Sequence, residues 1–311
     1  MRIRRVTLTK DYSHETRAIY HAQHSRIADD ERAMNRFISM FSEEYFNLPK
    51  GWFADKSIVD AGCGSTGKVL IALHRMGATN LHGFDLDTDF IPTAQASIRA
   101  HGVPDGVVAL RSASVLEAPY PDASFDFVCC HGVLLHLNSI EECRKGFAEL
   151  VRITKPGGYL YTVFGISGGA LEQSIYPALR EHYRRTPEFK FFIDAIKPAD
   201  FHAIVDLIAA GLSEHEGERN GLSAFKSLLD TDLCVTIQNI LQAPVRLQVP
   251  ETTIFEMYGD RFDQPRRLRR YVKRENIRRF LAPLHYATPD NATLQLWYGS
   301  GNLEFIARKK P

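Results

Sequence analysis

The sequence predicts an α/β protein with a mostly parallel, seven-stranded sheet, an antiparallel C-terminal hairpin and a large helical insertion after the fifth strand. Three observations predict it. From residue 57 onward, short apolar runs alternate with helical patterns, the signature of βαβ units and a parallel sheet. The first run, Ile58-Val59-Asp60-Ala61, leads into the glycine-rich turn Gly62-Cys63-Gly64-Ser65-Thr66-Gly67. Near the C-terminus, two period-two segments flank the turn cluster Gly299-Ser300-Gly301-Asn302.

The elements follow in order. Residues 1–50 form an N-terminal helical segment, because Ile19, Ile27, Phe37, Ile38 and Phe41 fall at helical spacing. Strands are expected near 57–60, 80–85, 107–111, 125–131 and 158–165, so the sheet core spans 51–165. The stretch 166–291 is several times longer than an ordinary crossover. Its segments Ala199–Leu212 and Gly221–Leu241 carry apolar residues at i, i+3 and i+4, which predicts a helical insertion. Segments 292–298 and 303–308 alternate at period two and predict the closing hairpin, 292–311. Ligands of such sheets bind at the carboxyl ends of the strands, so an insertion after the fifth strand is placed to cap a substrate.

The glycine turn carries the first chemistry. Gly62, Gly64 and Gly67 let the backbone turn tightly and approach a ligand, and Lys68–Leu73 continue as a helix. The spacing fits a dinucleotide fingerprint literally, but that match alone is weak. Asp60 decides between cofactors. A carboxylate just before the glycines repels a pyrophosphate, whereas it suits the ammonium group of a methionine-like moiety. Asp85 follows about 20 residues on, where an acid accepts from ribose hydroxyls. S-adenosylmethionine is thus favoured over NAD.

These residues resemble the class I S-adenosylmethionine-dependent methyltransferases, and the resemblance continues downstream. Leu116-Glu117-Ala118-Pro119-Tyr120-Pro121-Asp122-Ala123-Ser124-Phe125-Asp126-Phe127-Val128 is similar to that family's approach to the fourth strand. Leu134-Leu135-His136-Leu137 is similar to the segment after it, and Glu149 to Leu160, with Lys155-Pro156-Gly157-Gly158, to the entry into the fifth strand. Together these blocks cover roughly 55–165, about a third of the chain. The resemblance implies a Rossmann-like sheet and use of S-adenosylmethionine, with S-adenosylhomocysteine as product. It places Asp60, Gly62, Cys63, Gly64 and Gly67 around the methionine end of the donor, Asp85 and Leu86 at the ribose, and Ser114 and Val115 at the adenine. His131 would shape the cofactor pocket through its backbone, and the N-terminal helices would fold over the donor. One position departs from the pattern: many members carry an acid where Ser114 stands, and a hydroxyl accepts more weakly.

Composition bounds the rest. The 311 residues are 44% hydrophobic and 24% charged with a net charge of +1, as in an ordinary globular protein without a field for nucleic acid or membranes. No apolar run approaches transmembrane length, and the basic N-terminus lacks the apolar stretch of a secretory signal. The five cysteines, Cys63, Cys129, Cys130, Cys143 and Cys234, are odd in number and include no Cys-x-x-Cys. A disulfide framework and a structural zinc site are therefore not expected, and a cytoplasmic setting is; no metal is indicated by the sequence.

Methyl transfer needs in-line positioning, a dry pocket and sometimes a base. His136, after the fourth strand, is the candidate base for an oxygen or nitrogen acceptor, although capping or packing the adjacent helix start is the favoured reading of that position. Tyr20 and His24 in the N-terminal helices, and Tyr176 and His182 at the start of the insertion, are candidate acceptor contacts, each with a packing or surface role as the alternative. The expected acceptor is a small molecule, a secondary metabolite or amino-acid derivative. The arginine-rich run 265–281 reads as a helix, either a solvated face or a dock for a peptide or carrier protein. Nucleic acid is disfavoured, because Cys129-Cys130-His131-Gly132 stands where an Asn/Asp-Pro-Pro-Tyr run would be. A non-catalytic binding module is the alternative of another class. The oligomeric state is not legible.

Overall fold

The computed structural model describes residues 11, 13–28, 30–211, 216–269 and 291–311. Three helices open the chain: α1 (Ser13–Ala28), α2 (Glu31–Ile38) and α3 (Glu43–Phe46). Asp30 and Ser42 start the latter two by accepting from Ala33 N and Tyr45 N at 2.9 and 3.0 Å. The sheet units follow as β1 (Ser57–Ala61), α4 (Lys68–Arg75), β2 (Asn80–Asp85), α5 (Phe90–Ala100), β3 (Val108–Ser112), β4 (Phe125–His131), α6 (Ile140–Ile153) and β5 (Thr154–Ile166). After β5 come α7 (Tyr176–Arg185), α8 (Pro187–Ala195), α9 (Pro198–Gly211), α10 (Glu216–Lys226), α11 (Thr231–Gln242) and α12 (Glu251–Tyr258). The chain ends with β6 (Arg266–Arg267), α13 (Ala292–Tyr298) and β7 (Asn302–Arg308).

The sheet has seven strands in the order β3-β2-β1-β4-β5-β7-β6. Strands β1 to β5 run parallel, and β7 is antiparallel to both β5 and β6. This is the expected mostly parallel sheet with an antiparallel C-terminal pair. Strand order reverses between β1 and β4, and such a switch point opens a crevice beyond the strand ends.

Alternation along the central strands separates two cores. Ile58 of β1 and Phe127 and Cys129 of β4 pack with Phe37, Phe46 and Leu70 of α2, α3 and α4. Val59 and Ala61, with Val128 and Cys130, pack with Phe147 and Leu150 of α6 and Tyr258 of α12. The period of two puts Asp60 on the same face as Ile58. It stands at the carboxyl end of β1, with only 1% of its surface exposed.

Three expectations need correction. Residues 292–298 form a helix, not a strand: Asn291 accepts from Leu294 N at 3.0 Å, and Gly299 at φ +55 ends it. The partner of β7 is instead β6, with Arg266 opposite Ile306 and Arg267 opposite Phe305. The arginine-rich run therefore begins as an edge strand rather than a helix. Arg267 donates to the carbonyls of Ser300 and Asn302, and Arg266 to that of Phe46. The rest of that run, from 270, lies outside the described residues. The single run expected over Gly221–Leu241 is two helices, because Asp230 caps a new one by accepting from Leu233 N at 3.2 Å. No described helix is long and apolar enough to cross a membrane.

Candidate active site

A cavity of about 730 Å³ lies over the carboxyl ends of β1, β2, β4 and β5, roofed by α1 and α11. It brings together Asp60, Gly62, Cys63, Asp85, Leu86, Ser114, Val115, His131 and His136 from the sheet side, and Tyr20 and Tyr176 from the helices.

Its β1–β2 end is built by the glycine turn. Gly62 adopts φ +85, and a Cβ there would meet Val133 Cγ2 at 2.2 Å, so only glycine fits. The Gly64 N–H donates to Asp85 Oδ2 at 2.9 Å, and the Asp87 N–H donates to Asp85 Oδ1 at 3.0 Å. The carboxylate also accepts from the Leu86 N–H, and its remaining lone-pair capacity is open to a further donor. Ser114 Oγ accepts from Leu116 N at 3.1 Å, which fixes the hydroxyl beside the buried Val115.

Asp60 is the electrostatic feature of this end. The Cys129 thiol donates to its carboxylate, but Oδ1 has no hydrogen-bond partner among the described residues. Burial, against the Cys129 bond and with Asp85 nearby, pushes its pKa up to about 7. A buried acceptor of this kind at a cavity wall lacks a cationic donor. Gln23 Oε1 and Thr16 Oγ1 of α1 are likewise buried without partners, and both residues line the cavity.

The β4–β5 end holds a second constellation. The Tyr20 hydroxyl lies 2.6 Å from His136 Nε2 and 2.5 Å from Asn239 Oδ1. His136 Nδ1 lies 3.0 Å from the Val245 carbonyl, which can only accept, so the Nδ1 hydrogen sits there and Nε2 carries the lone pair. Burial lowers the His136 pKa to about 3, opposed by the Val245 bond and aided by the guanidiniums of Arg246 and Arg180. The imidazole is thus neutral, and its Nε2 and the Asn239 Oδ1 that accepts from Tyr20 compete for the single hydroxyl hydrogen.

Several residues expected at the site are elsewhere. Gly64 does not line the cavity; it acts through its bond to Asp85. Gly67 caps α4 at φ +58, and a Cβ there would meet Ile98 Cδ1 at 2.6 Å, so it is a packing glycine. His182 faces away: it bonds Thr186 Oγ1 at 2.9 Å and packs on Phe189, six residues along α7 from Tyr176. The His24 side chain lies outside the described residues. Sequence reasoning missed Arg17, Asn239 and Arg246. Arg17 stands one turn before Tyr20 on α1 and pairs with Asp87 at 3.2 Å, a spacing that had a helical signal. Asn239 and Arg246 had none.

Residues 59–162 match the family model described as methyltransferase domain. Over these residues the chain carries a methyltransferase domain. Relatives of this domain include an uncharacterized protein of Haemophilus influenzae, 31% identical over 42% of this chain and 51% of that one. The O-methyltransferase resE of Aspergillus sclerotiorum is 29% identical over 34% of this chain and 39% of its own length. Among solved structures, the complex of the Haloferax volcanii Trm112 methyltransferase activator with a protein assigned as a methyltransferase contains a similar chain. The likeness covers 93% of this chain and 96% of that one, at TM-score 0.52 and 12% identity, and shows the shared fold. The chain spans about half the length of the curated relatives it matches.

Proposed function

We propose that this protein is an S-adenosylmethionine-dependent methyltransferase that methylates oxygen or nitrogen of a small molecule held in the cavity. The unpartnered Asp60 Oδ1, buried at the cavity wall beside Gly62, carries the reading. It fits the ammonium group of the donor's methionine end, with Asp85 and Leu86 at the ribose and Ser114 with Val115 at the adenine. Gly62 and Cys63 supply the close-approaching backbone, and His131 the wall at the end of β4. The donor, when bound, supplies an electrophilic methyl group.

The remaining work falls to this chain's own residues. Tyr20, Tyr176 and Asn239 bound the acceptor half of the cavity and orient the nucleophile. His136 Nε2 receives a hydrogen bond from the acceptor or, once the Tyr20 hydroxyl turns its hydrogen from Asn239 Oδ1 to Nε2, takes up the acceptor's proton through Tyr20. The cavity volume lies within the range of about 300–1,000 Å³ usual for small-molecule sites, which favours a small acceptor over a folded one. The relative named as an O-methyltransferase supports oxygen as an acceptor atom.

Formation of S-adenosylhomocysteine from S-adenosylmethionine, measured with a panel of hydroxy and amino acceptors, tests this. Turnover with an acceptor, lost in Asp60→Ala and Asp85→Ala, is expected. Donor binding with no acceptor turned over across the panel would favour the non-catalytic module. No donor binding at all would remove the reading.

A further inference from the structure

We infer that the β4–β5 half of the cavity is an anion subsite, and that the acceptor carries a carboxylate or similar oxyanion held by Arg246; this rests on the methyltransferase reading of the cavity. Glu172, fully buried, accepts from Arg246 Nε at 3.1 Å and pairs with Arg180 Nη2 at 3.5 Å. Two guanidiniums against one carboxylate leave one positive charge. Among the described residues, no second carboxylate lies within ion-pair distance of either arginine. An excess charge in a shielded place is costly unless an anion joins it.

Arg246 is the member that reaches the cavity, with its side chain only 13% exposed. Its Nε is used by Glu172, while its two terminal amino groups make no hydrogen bond among the described residues. That is a planar fork left for a bidentate oxyanion. The backbone holds the fork in place. On one side of Arg246, the Val245 carbonyl receives His136 Nδ1–H; on the other, the Leu247 N–H donates to the Leu135 carbonyl at 2.7 Å.

Position assigns the fork to the acceptor rather than the donor. Arg246 Nη2 lies 3.3 Å from where a Cβ on Gly165 would stand, near the end of β5. Asp60 belongs to β1, and β4 stands between β1 and β5. Two strand spacings are about 10 Å. The fork is therefore over the Tyr20–His136 end, away from the unpartnered Asp60 oxygen. A bound anion would also offset the guanidiniums that disfavour a charged His136, and so strengthen it as a proton acceptor once the acceptor is in place.

The test uses benzoate and benzamide, which share a shape and differ in charge, titrated into the full chain with and without saturating S-adenosylhomocysteine. Binding is read by chemical-shift change and thermal unfolding. Wild type should bind benzoate at least about tenfold more tightly than benzamide. Arg246→Gln should lose the difference, and Arg246→Lys should keep part of it. Equal response to both compounds in wild type, no response to benzoate, or an undiminished difference in Arg246→Gln would overturn the subsite. Because acid is compared with amide in wild type, the result stands even if a variant folds poorly. A tenfold loss of S-adenosylhomocysteine affinity in Arg246→Gln would hand the fork to the donor's own carboxylate and overturn the acceptor assignment. Failure of S-adenosylhomocysteine to bind wild type would instead count against the methyltransferase reading, while the benzoate comparison in its absence still reads the subsite.

Discussion

The Tyr20 hydroxyl and His136 Nε2 stand 2.6 Å apart, joined across 116 residues of chain. One comes from α1 and the other from the turn after β4, so the contact ties the roof of the cavity to its floor. If this pair handles the acceptor's proton, His136→Ala should lower kcat by about 10²-fold while leaving S-adenosylhomocysteine affinity unchanged. Tyr20→Phe should lower kcat less and cost about 1–3 kcal/mol of stability, since it leaves the part-buried Asn239 Oδ1 without its donor. Steady-state kinetics beside donor titrations check both. Equal loss of donor affinity in each variant would show a merely structural role.

Asp60 gives a pH dependence with a definite sign. Its pKa is raised to about 7 in the fold, against about 3.9 in an unfolded chain. The folded protein therefore holds this proton across a range where the unfolded chain has released it. The stability that the group contributes is present at low pH and is lost as pH rises from about 4 through about 7. Asp60→Asn should accordingly raise the unfolding temperature of the ligand-free protein at pH 8 more than at pH 5.

If Asp60 holds the donor's ammonium group, the same titration governs donor affinity: the carboxylate, ionised above pH 7, attracts the ammonium of S-adenosylhomocysteine, and below that pH the attraction fades. Wild-type affinity should strengthen between pH 5.5 and pH 8, and Asp60→Asn should flatten that rise. Calorimetric titrations at several pH values decide it, and a parallel rise in both proteins would separate Asp60 from the ammonium.

Gly62 has no room for a side chain. Gly62→Ala drives a methyl into Val133 Cγ2 and holds alanine at φ +85. A stability loss of about 1–3 kcal/mol and lost donor binding are expected, measured by denaturant unfolding and donor titration.

Glu172 is the counter-ion of two guanidiniums. Glu172→Gln leaves both partly buried charges without their acid and should destabilise the protein by about 3–5 kcal/mol. Urea unfolding checks this, and an unchanged midpoint would show that the pairs carry little.

The central parallel strands β1 and β4 were legible because each is a short, mostly apolar run, and burial on both faces demands such runs. Asp60 and Asp85 were legible as cavity-lining positions because one directly precedes the glycine turn and the other ends the next strand. Segment 292–298 misled because Ala-Thr-Leu-Gln-Leu-Trp-Tyr alternates by chance over seven residues. The Asn291 cap and Gly299 stop define a helix there, and its exposed Leu296 and Trp297 bury no strand face. The true partner of β7 comes from Arg266–Arg267, a pairing that no local pattern announces. Tyr20 and His136 were visible as separate candidates, but their meeting was not. Asn239 and Arg246 carried no signal, because their place at the cavity depends on how the region after β5 folds back over the sheet.

The most direct test is thermal unfolding of the full chain with S-adenosylmethionine, S-adenosylhomocysteine and NAD in parallel, with Asp85→Ala as control. At about 100 times its dissociation constant, a bound ligand adds roughly 2.7 kcal/mol. Stabilisation by the two adenosyl ligands and not by NAD, lost in Asp85→Ala, is the expected result. A shift with NAD alone, or none with any of the three, would contradict the donor site on which the account rests.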